Sequence, residues 1–482
     1  MVQPAFDNPV FDPLRLTAVS LDVQAVQRLG AAGIRARQAS RLRALVRAAQ
    51  QRSRLYRESL PAVLPESEGQ IELAALPVVH KKQLMQRFDD WVADPDIHQP
   101  ELQEFMADPQ RVGTAFLGRY IVWESSGSSG EPCLFVQDAR AMAVYDALEA
   151  LRRCTPRPLQ RLFDPLYLGE RLAFVGATGG HFASVVSVER LRRLNPWMGV
   201  AFHSLSILKP TASLVAELNA LAPTILASYP TAVALLAEQA RSGALQIRPA
   251  EIWTGGETLT DAVRQLAEET FGCTVRNSYG ASEFLSIGWE CAHGHMHANA
   301  DWVILEPVDE QHRLLPPGEA SFSTLLTNLA NHVQPLIRYD LGDSLRIRPE
   351  HCACGSPLPV IEVQGRHDDS LVMQDTAGHR VTWLPLALST LLEEQAGVYD
   401  FQLLQRGAHS LGLRVGASGE DARLALARCS KALRELALRD GLAGLHLVEE
   451  PDLPPLHGSS GKVKRVIAAP PRRRRSAQPS AG

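Results

Sequence analysis

The spacing of apolar positions changes character along the chain. Over 24–57 the sequence is rich in Ala, Leu, Arg and Gln, and Leu42, Leu45, Val46, Ala49 and Tyr56 recur at helical spacing on one side. This predicts one long N-terminal helix with its apolar face on the body and its Arg-rich face in solvent. From about residue 170, apolar runs at 172–175, 224–228, 251–253 and 274–277 alternate with helical periodicity at 211–221, 231–241 and 261–271. That alternation is the signature of a parallel sheet wound with helices. After residue 300 the runs shorten, as at 302–305 and 321–327, with Pro and Gly between them, which predicts an antiparallel β subdomain. Beyond 365–369, runs at 381–383, 386–392, 401–404, 411–415, 422–436 and 445–448 predict a small α+β domain. The expected class is α/β. A large N-terminal domain (1–366) of helix-wound β-sheets plus a β subdomain precedes a small C-terminal domain (367–468) and a disordered Arg-rich tail (469–482).

Composition narrows the function classes. The 482 residues are 45% hydrophobic and 21% charged, which supplies more than one core and excludes disorder and collagen. No apolar stretch reaches the ~18 residues of a membrane span, and the first residues lack a basic start and an apolar run, so neither a span nor a signal peptide is expected. The expected location is the cytoplasm. Arg472, Arg473, Arg474 and Arg475 contribute +4 to a net charge of −4, so the rest of the chain carries −8. Such a body is not built to bind nucleic acid, and the Arg run reads as a solvated tail. Seven cysteines, an odd number, argue against a disulfide framework. Cys133, Cys154, Cys273 and Cys429 read as small buried apolar residues.

Four local patterns carry candidate chemistry. Ser125, Ser126, Gly127, Ser128, Ser129 and Gly130 follow the apolar run 120–123; small residues let backbone amides and hydroxyls close on phosphate oxygens. The run lacks the terminal Gly-Lys-Ser/Thr of a Walker loop, which disfavours a P-loop NTPase. Gly255, Gly256 and Glu257 follow one predicted strand, and Ser278, Tyr279, Gly280, Ala281, Ser282 and Glu283 follow another. Loops leaving the carboxyl ends of parallel strands gather on one edge, so both face one cleft. There Tyr279 can stack on a base and Glu283 can hold a magnesium ion that bridges phosphates. In Arg338-Tyr339-Asp340-Leu341-Gly342-Asp343, the Asp343 carboxylate suits a ribose diol, and in Gly365-Arg366-His367-Asp368-Asp369, Arg366 suits a phosphate or carboxylate.

In order and spacing these patterns resemble the adenylate-forming superfamily of acyl and aryl CoA synthetases, luciferases and peptide-synthetase adenylation domains. The Ser/Gly loop is similar to its phosphate loop, and Tyr279 to Glu283 to its Tyr-Gly-x-Thr-Glu motif, with Ser282 in place of Thr. Tyr339 to Asp343 is similar to its ribose-binding motif. Asp368 and Asp369 resemble its hinge before a mobile C-terminal domain, and Gly461-Lys462-Val463-Lys464-Arg465 its closing motif, which makes Lys462 the catalytic lysine. The resemblance spans roughly 75–467. Leu76-Pro77-Val78-Val79-His80-Lys81, Ser125 to Pro132 and Ile337-Arg338-Tyr339 are most similar to the phenylacetate-CoA ligase branch.

The resemblance implies an ATP-dependent acid–thiol ligase: Mg2+ and Lys462 assist adenylation of a small carboxylic acid, pyrophosphate leaves, and a phosphopantetheine thiol displaces AMP. Glu131 stands where many relatives have lysine. A turn at 374–378 replaces the Arg-Gly-x-Asn loop that CoA ligases often place at the pantetheine channel, so an acyl carrier protein competes with CoA as acceptor. Transfer to an amine or hydroxyl, or a non-catalytic nucleotide-binding protein of this fold, are the alternatives, and a homodimer is left open. His181 and Phe182 after Gly179-Gly180, Tyr229 after Ser228, Gly255 and Gly280 lead toward the same edge, and their aromatic rings favour a benzoate-type or hydroxybenzoate-type acid. Finally, Cys291, His297, Cys352 and Cys354 form a donor set suited to a closed structural zinc site, with His293 and His295 as alternative ligands.

Overall fold

The computed structural model describes residues 10–468 except 65, 68, 69, 126–131, 154–168, 208, 367–370, 376–378, 384, 443, 452, 454 and 457–463. The Arg-rich tail lies outside the described residues. The described chain divides into two compact units, 10–366 and 371–456 with 464–468.

The long helix expected over 24–57 is interrupted. Helices span Pro13–Ala25, Gly30–Arg52 and Arg54–Ser59, with a single 3-10 turn at Val26–Arg28. Gly30 takes φ +62°, a left-handed conformation that L side chains avoid, and Ser53 is extended. The Ser53 hydroxyl then caps the next helix by accepting from the Tyr56 amide, so one residue stops one helix and starts another.

A short hairpin, β1 (Glu66–Ser67) with β2 (Gln70–Ile71), precedes a second, β3 (Ile121–Glu124) with β4 (Leu134–Gln137). The helix Ala139–Arg152 follows, its first turn capped by Asp138 accepting from the Ala141 amide. Next come β5 (Leu172–Gly176), helices Ala183–Leu194 and Pro196–Ala201, and β6 (Phe202–Ser206). The winding continues with β7 (Ile225–Ser228), β8 (Glu251–Thr254) and β9 (Thr274–Ala281), separated by helices Pro230–Arg241 and Asp261–Phe271. Thr260 caps the last helix and Gly272, at φ +64°, ends it. Then follow β10 (Phe284–Glu290), β11 (Met296–Ala298), β12 (Val303–Val308), β13 (Ser323–Asn328), β14 (Tyr339–Asp340), β15 (Asp343–Ile347) and β16 (Val360–Arg366).

Among the described residues, one sheet has the order β15-β16-β11-β10-β9-β8-β7-β5-β6. Pairing is parallel from β6 to β9 and antiparallel from β9 to β15. The parallel, helix-wound half is as the periodicity predicts. The chain after residue 281 differs: β10, β11, β15 and β16 extend the large sheet, and β12, β13 and β14 alone form a separate antiparallel sheet. Packing against helix Ala139–Arg152 accompanies this arrangement. The buried Arg152 guanidinium donates to Asp301 (2.7 Å) and Asn299 (2.9 Å), just before β12. Val122, Phe135 and Phe284 are buried in the same core, and each such burial contributes about 1.5–3 kcal/mol.

The second unit pairs β17 (Leu371–Gln374) with β18 (Arg380–Trp383) and builds a sheet from β19 (Phe401–Gly407), β20 (Ser410–Val415), β21 (His446–Glu449) and β22 (Val466–Ile467), in the order β21-β20-β19-β22. Helices Pro385–Ala396 and Gly419–Arg439 accompany these strands. Leu388, Leu403, Leu413, Leu426 and Leu433 share its buried core.

Candidate active site

Two of the distant patterns meet through one hydrogen bond. The Tyr279 hydroxyl donates to Asp343 Oδ2 at 2.6 Å, across 64 positions of sequence. Both side chains are largely shielded from solvent, and Asp343 is 9% exposed. Asp343 is the first residue of β15 and pairs directly with Arg366 on β16, so those two backbones are neighbours. A third pattern joins them: the indole of Trp123, at 0% exposure, donates to the Ser282 carbonyl at 2.9 Å.

The Tyr279 motif is not a loop beyond a strand, as the sequence suggested. β9 runs through Ser278, Tyr279, Gly280 and Ala281, turns at Ser282 and Glu283, and pairs antiparallel with β10. The turn is tight because Gly280 has no side chain: a Cβ there would sit 2.0 Å from the Leu285 carbonyl oxygen. At Gly255 a Cβ would lie 2.9 Å from Ser278 Oγ. Ser278 in turn donates to the Thr254 carbonyl at 3.1 Å, which ties the end of β8 to β9. Gly256 takes φ +77°, again open to glycine at no steric cost. Glu257 Oε2 accepts from the amide and hydroxyl of Thr231 (3.2 and 2.8 Å), while its buried Oε1 has no partner among the described residues.

Glu283 is 9% exposed, and its carbonyl accepts from Asn328 at 2.9 Å. Burial raises the Cys133 thiol and the Glu283 charge adds to the rise, so the carboxylate lies near the neck of the β3–β4 hairpin. Ser125 closes that neck: its amide donates to the Cys133 carbonyl and its hydroxyl accepts from the Cys133 amide, both at 2.8 Å. Ser126, Gly127, Ser128, Ser129 and Gly130 lie outside the described residues, as do Asp368, Asp369 and Lys462; of Arg366 only the backbone is described.

Beside these motifs lies a cavity of about 750 Å³. Its walls run from Tyr229, Gly255 and Ala281 at the strand ends to Leu16, Leu191 and Met198 on the helices Pro13–Ala25, Ala183–Leu194 and Pro196–Ala201. The Tyr229 hydroxyl accepts from the Ala177 amide at 3.4 Å, and burial raises its pKa. Glu124 at the end of β3 also lines the cavity, its carboxyl pushed up by burial. His181 does not line it. Its Nε2–H donates to the Asp108 carbonyl at 3.2 Å, its ring packs on Phe105 at 5.9 Å, and burial lowers its pKa. Phe182, Ala183 and Ser184 form the wall there instead. The walls from the N-terminal helix and from Met198 carry no sequence motif.

A separate cluster forms at the antiparallel end of the sheet. Cys291 and His297 flank the β10–β11 turn, and Cys352 and Cys354 sit in the β15–β16 loop, with their four donor atoms mutually within 4.8 Å. His297 Nδ1 donates to the Leu358 carbonyl at 2.9 Å, which fixes the tautomer and leaves Nε2 facing Cys354 Sγ at 3.3 Å. His295 Nδ1 lies 3.2 Å from Cys352 Sγ. Against burial, hydrogen bonds from the Cys354 amide, His295 and His297 bring the Cys352 thiol down to about 5, while burial and the neighbouring sulfurs push Cys354 up to about 11. Three sulfurs and one imidazole of fixed tautomer fit a tetrahedral zinc ion.

Structures of 2-hydroxyisobutyryl-CoA ligase are similar over most of the chain. One in a postadenylation state with 2-HIB-AMP gives a TM-score of 0.63 at 20% identity, covering 92% of this chain and 90% of that one. One with 2-HIB-AMP and CoA gives 0.51 at 19% identity, covering 97% and 94%. The chain has the fold of that ligase. In sequence, Protein CapK of Staphylococcus aureus is 27% identical over 138 residues, 28% of this chain and 29% of that protein's own length. No family model matches the chain. Among the described residues no helix is long and apolar enough to cross a membrane.

Proposed function

We propose that this protein is an ATP-dependent acid–thiol ligase that adenylates an apolar carboxylic acid and passes the acyl group to a phosphopantetheine thiol of CoA or of an acyl carrier protein. The observation that carries the reading is the Tyr279–Asp343 hydrogen bond of 2.6 Å, which joins two motifs of the resemblance at the edge of the parallel strands. The adenylate-forming fold supports it.

The difficulty of the first step is that a carboxylate must approach the α-phosphate of ATP, anion against anion, so positive charge has to be held where negative charge accumulates. Lys462 supplies it. The backbone and hydroxyls of Ser125 to Gly130 hold the phosphates, Asp343 accepts from the ribose hydroxyls, and Tyr279 presents its ring to the base. Glu283 would hold Mg2+, whose bound charge neutralises phosphate oxygens. An acid oxygen bonds to the α-phosphorus as the bond to the β-phosphate oxygen breaks and pyrophosphate leaves. A thiolate then attacks the acyl carbon and AMP leaves. These two half-reactions need different nucleophiles, which suits a C-terminal domain (367–468) that turns about Asp368 or Asp369.

The cavity sharpens the substrate class. The cavity takes in Gly255, Gly256 and Ser278 beside the nucleotide motifs, and its walls of Leu16, Leu191, Met198 and Phe202 suit an apolar acid. A structural zinc ion held by Cys291, His297, Cys352 and Cys354 would tie the β10–β11 turn to the β15–β16 loop. The test is product analysis with ATP, Mg2+, acid and either CoA or a phosphopantetheinylated carrier. AMP and thioester in equal amounts, formed about 10²–10³-fold more slowly by Lys462→Ala, are expected. ADP as product, or acyl transfer without a thiol, would overturn the assignment.

A further inference from the structure

A second set of metal-ligating side chains lies away from the cysteines. His80, His312 and Asp340 come from three distant segments, and one ligand atom of each lies within 4.8 Å of the other two. The backbone fixes this meeting. Val79 bridges Tyr339 in parallel, with the Val79 amide on the Arg338 carbonyl (3.1 Å) and the Asp340 amide on the Val79 carbonyl (3.0 Å), so His80 is held beside Asp340. His312 sits in the turn between β12 and β13 at φ +57°, a left-handed conformation uncommon for a residue with a side chain.

The carboxylate is oriented as well. Asp340 Oδ1 accepts from the Ser323 hydroxyl and from the Gly342 amide (3.2 Å), which leaves Oδ2 facing the two imidazoles. His80 Nδ1 is 3.5 Å and His312 Nε2 is 3.4 Å from Oδ2, and the ring centroids are 5.6 Å apart. These separations are long for charge-assisted hydrogen bonds. They match the roughly 3.3 Å edge of a tetrahedron whose ligands each lie about 2.0–2.1 Å from a central ion.

We infer that His80, His312 and Asp340 form a second metal site, distinct from the cysteine cluster, that takes a borderline divalent ion of the zinc or nickel class. Two imidazoles and one carboxylate suit such ions better than magnesium, which prefers all-oxygen shells, or Cu(I), which prefers sulfur. The side chains of His80 and His312 are 51% and 33% exposed, so the ion enters from solvent and keeps water in its remaining positions. The site also touches the nucleotide edge. Through Oδ1 the same carboxylate holds the amide of Gly342, immediately before Asp343.

The test compares the full chain with a His80→Ala/His312→Asn variant, both stripped with chelator and dialysed to equilibrium against micromolar free Zn2+. Asn is chosen at 312 because it tolerates the left-handed conformation. The expected result is one zinc less per chain in the variant. A Co2+-loaded sample reports the cysteine cluster independently through its thiolate absorption, expected to be unchanged in the variant. Equal zinc content in the two proteins would overturn the inference, as would a lost equivalent accompanied by loss of that thiolate absorption.

Discussion

The two sides of the cleft are built by different means. On the side proposed for the nucleotide the constraints are close backbone approaches and linking hydrogen bonds: Gly280 under the Leu285 carbonyl, Gly255 against Ser278, Tyr279 to Asp343 and Trp123 to Ser282. On the side proposed for the acid the walls are side chains from helices that share no motif, among them Leu16, Leu191 and Met198. The first side leaves no room for a side chain at Gly280. The second can be re-lined one side chain at a time.

Substitutions can break or sharpen this contrast. The largest effect is expected from Gly280→Ala, whose Cβ cannot coexist with the Leu285 oxygen at 2.0 Å. Acid-dependent ATP–pyrophosphate exchange should fall below detection and urea unfolding should lose about 3 kcal/mol; retained exchange would mean that the β9–β10 hairpin yields. Lys462→Ala should lower exchange about 10²–10³-fold without altering the ranking of acids, which a kcat/KM series would read. On the acid side, Leu16→Trp or Met198→Trp should shift the ratio of kcat/KM between a large and a small acid about tenfold toward the small one. The KM for ATP should stay unchanged, and a change there would dissolve the distinction between the two sides. Tyr279→Phe removes one hydrogen bond worth about 1 kcal/mol, so a roughly fivefold rise in the KM for ATP is expected, with acid preference untouched.

The same contrast explains what the sequence could tell. Tyr279, Gly280 and Asp343 belong to short patterns whose order and spacing survive in one chain, and the Cys and His positions stand out by residue type alone. The helix-wound half of the sheet was readable because its periodicity is local. The division of β10 to β16 between two sheets was not, since the choice depends on pairing between β11 and β16, as of His297 with Val360, distant in sequence. The N-terminal helix looked continuous because its two punctuation marks, Gly30 and Ser53, are single residues in an Ala- and Arg-rich stretch. His181 and Phe182 look alike as candidates for the pocket, but His181 is held by the Asp108 carbonyl and Phe105, and of the two only Phe182 lines it. A cavity is a space between elements distant in sequence, so its size has no local signature.

The most direct test of the account is ATP–pyrophosphate exchange by the purified, zinc-replete protein with Mg2+, over a series of acids graded from acetate through benzoate to polycyclic and long apolar acids. The account predicts exchange with apolar acids that falls about 10²–10³-fold in Lys462→Ala. Absence of exchange with every acid, in protein that still binds ATP, would contradict it.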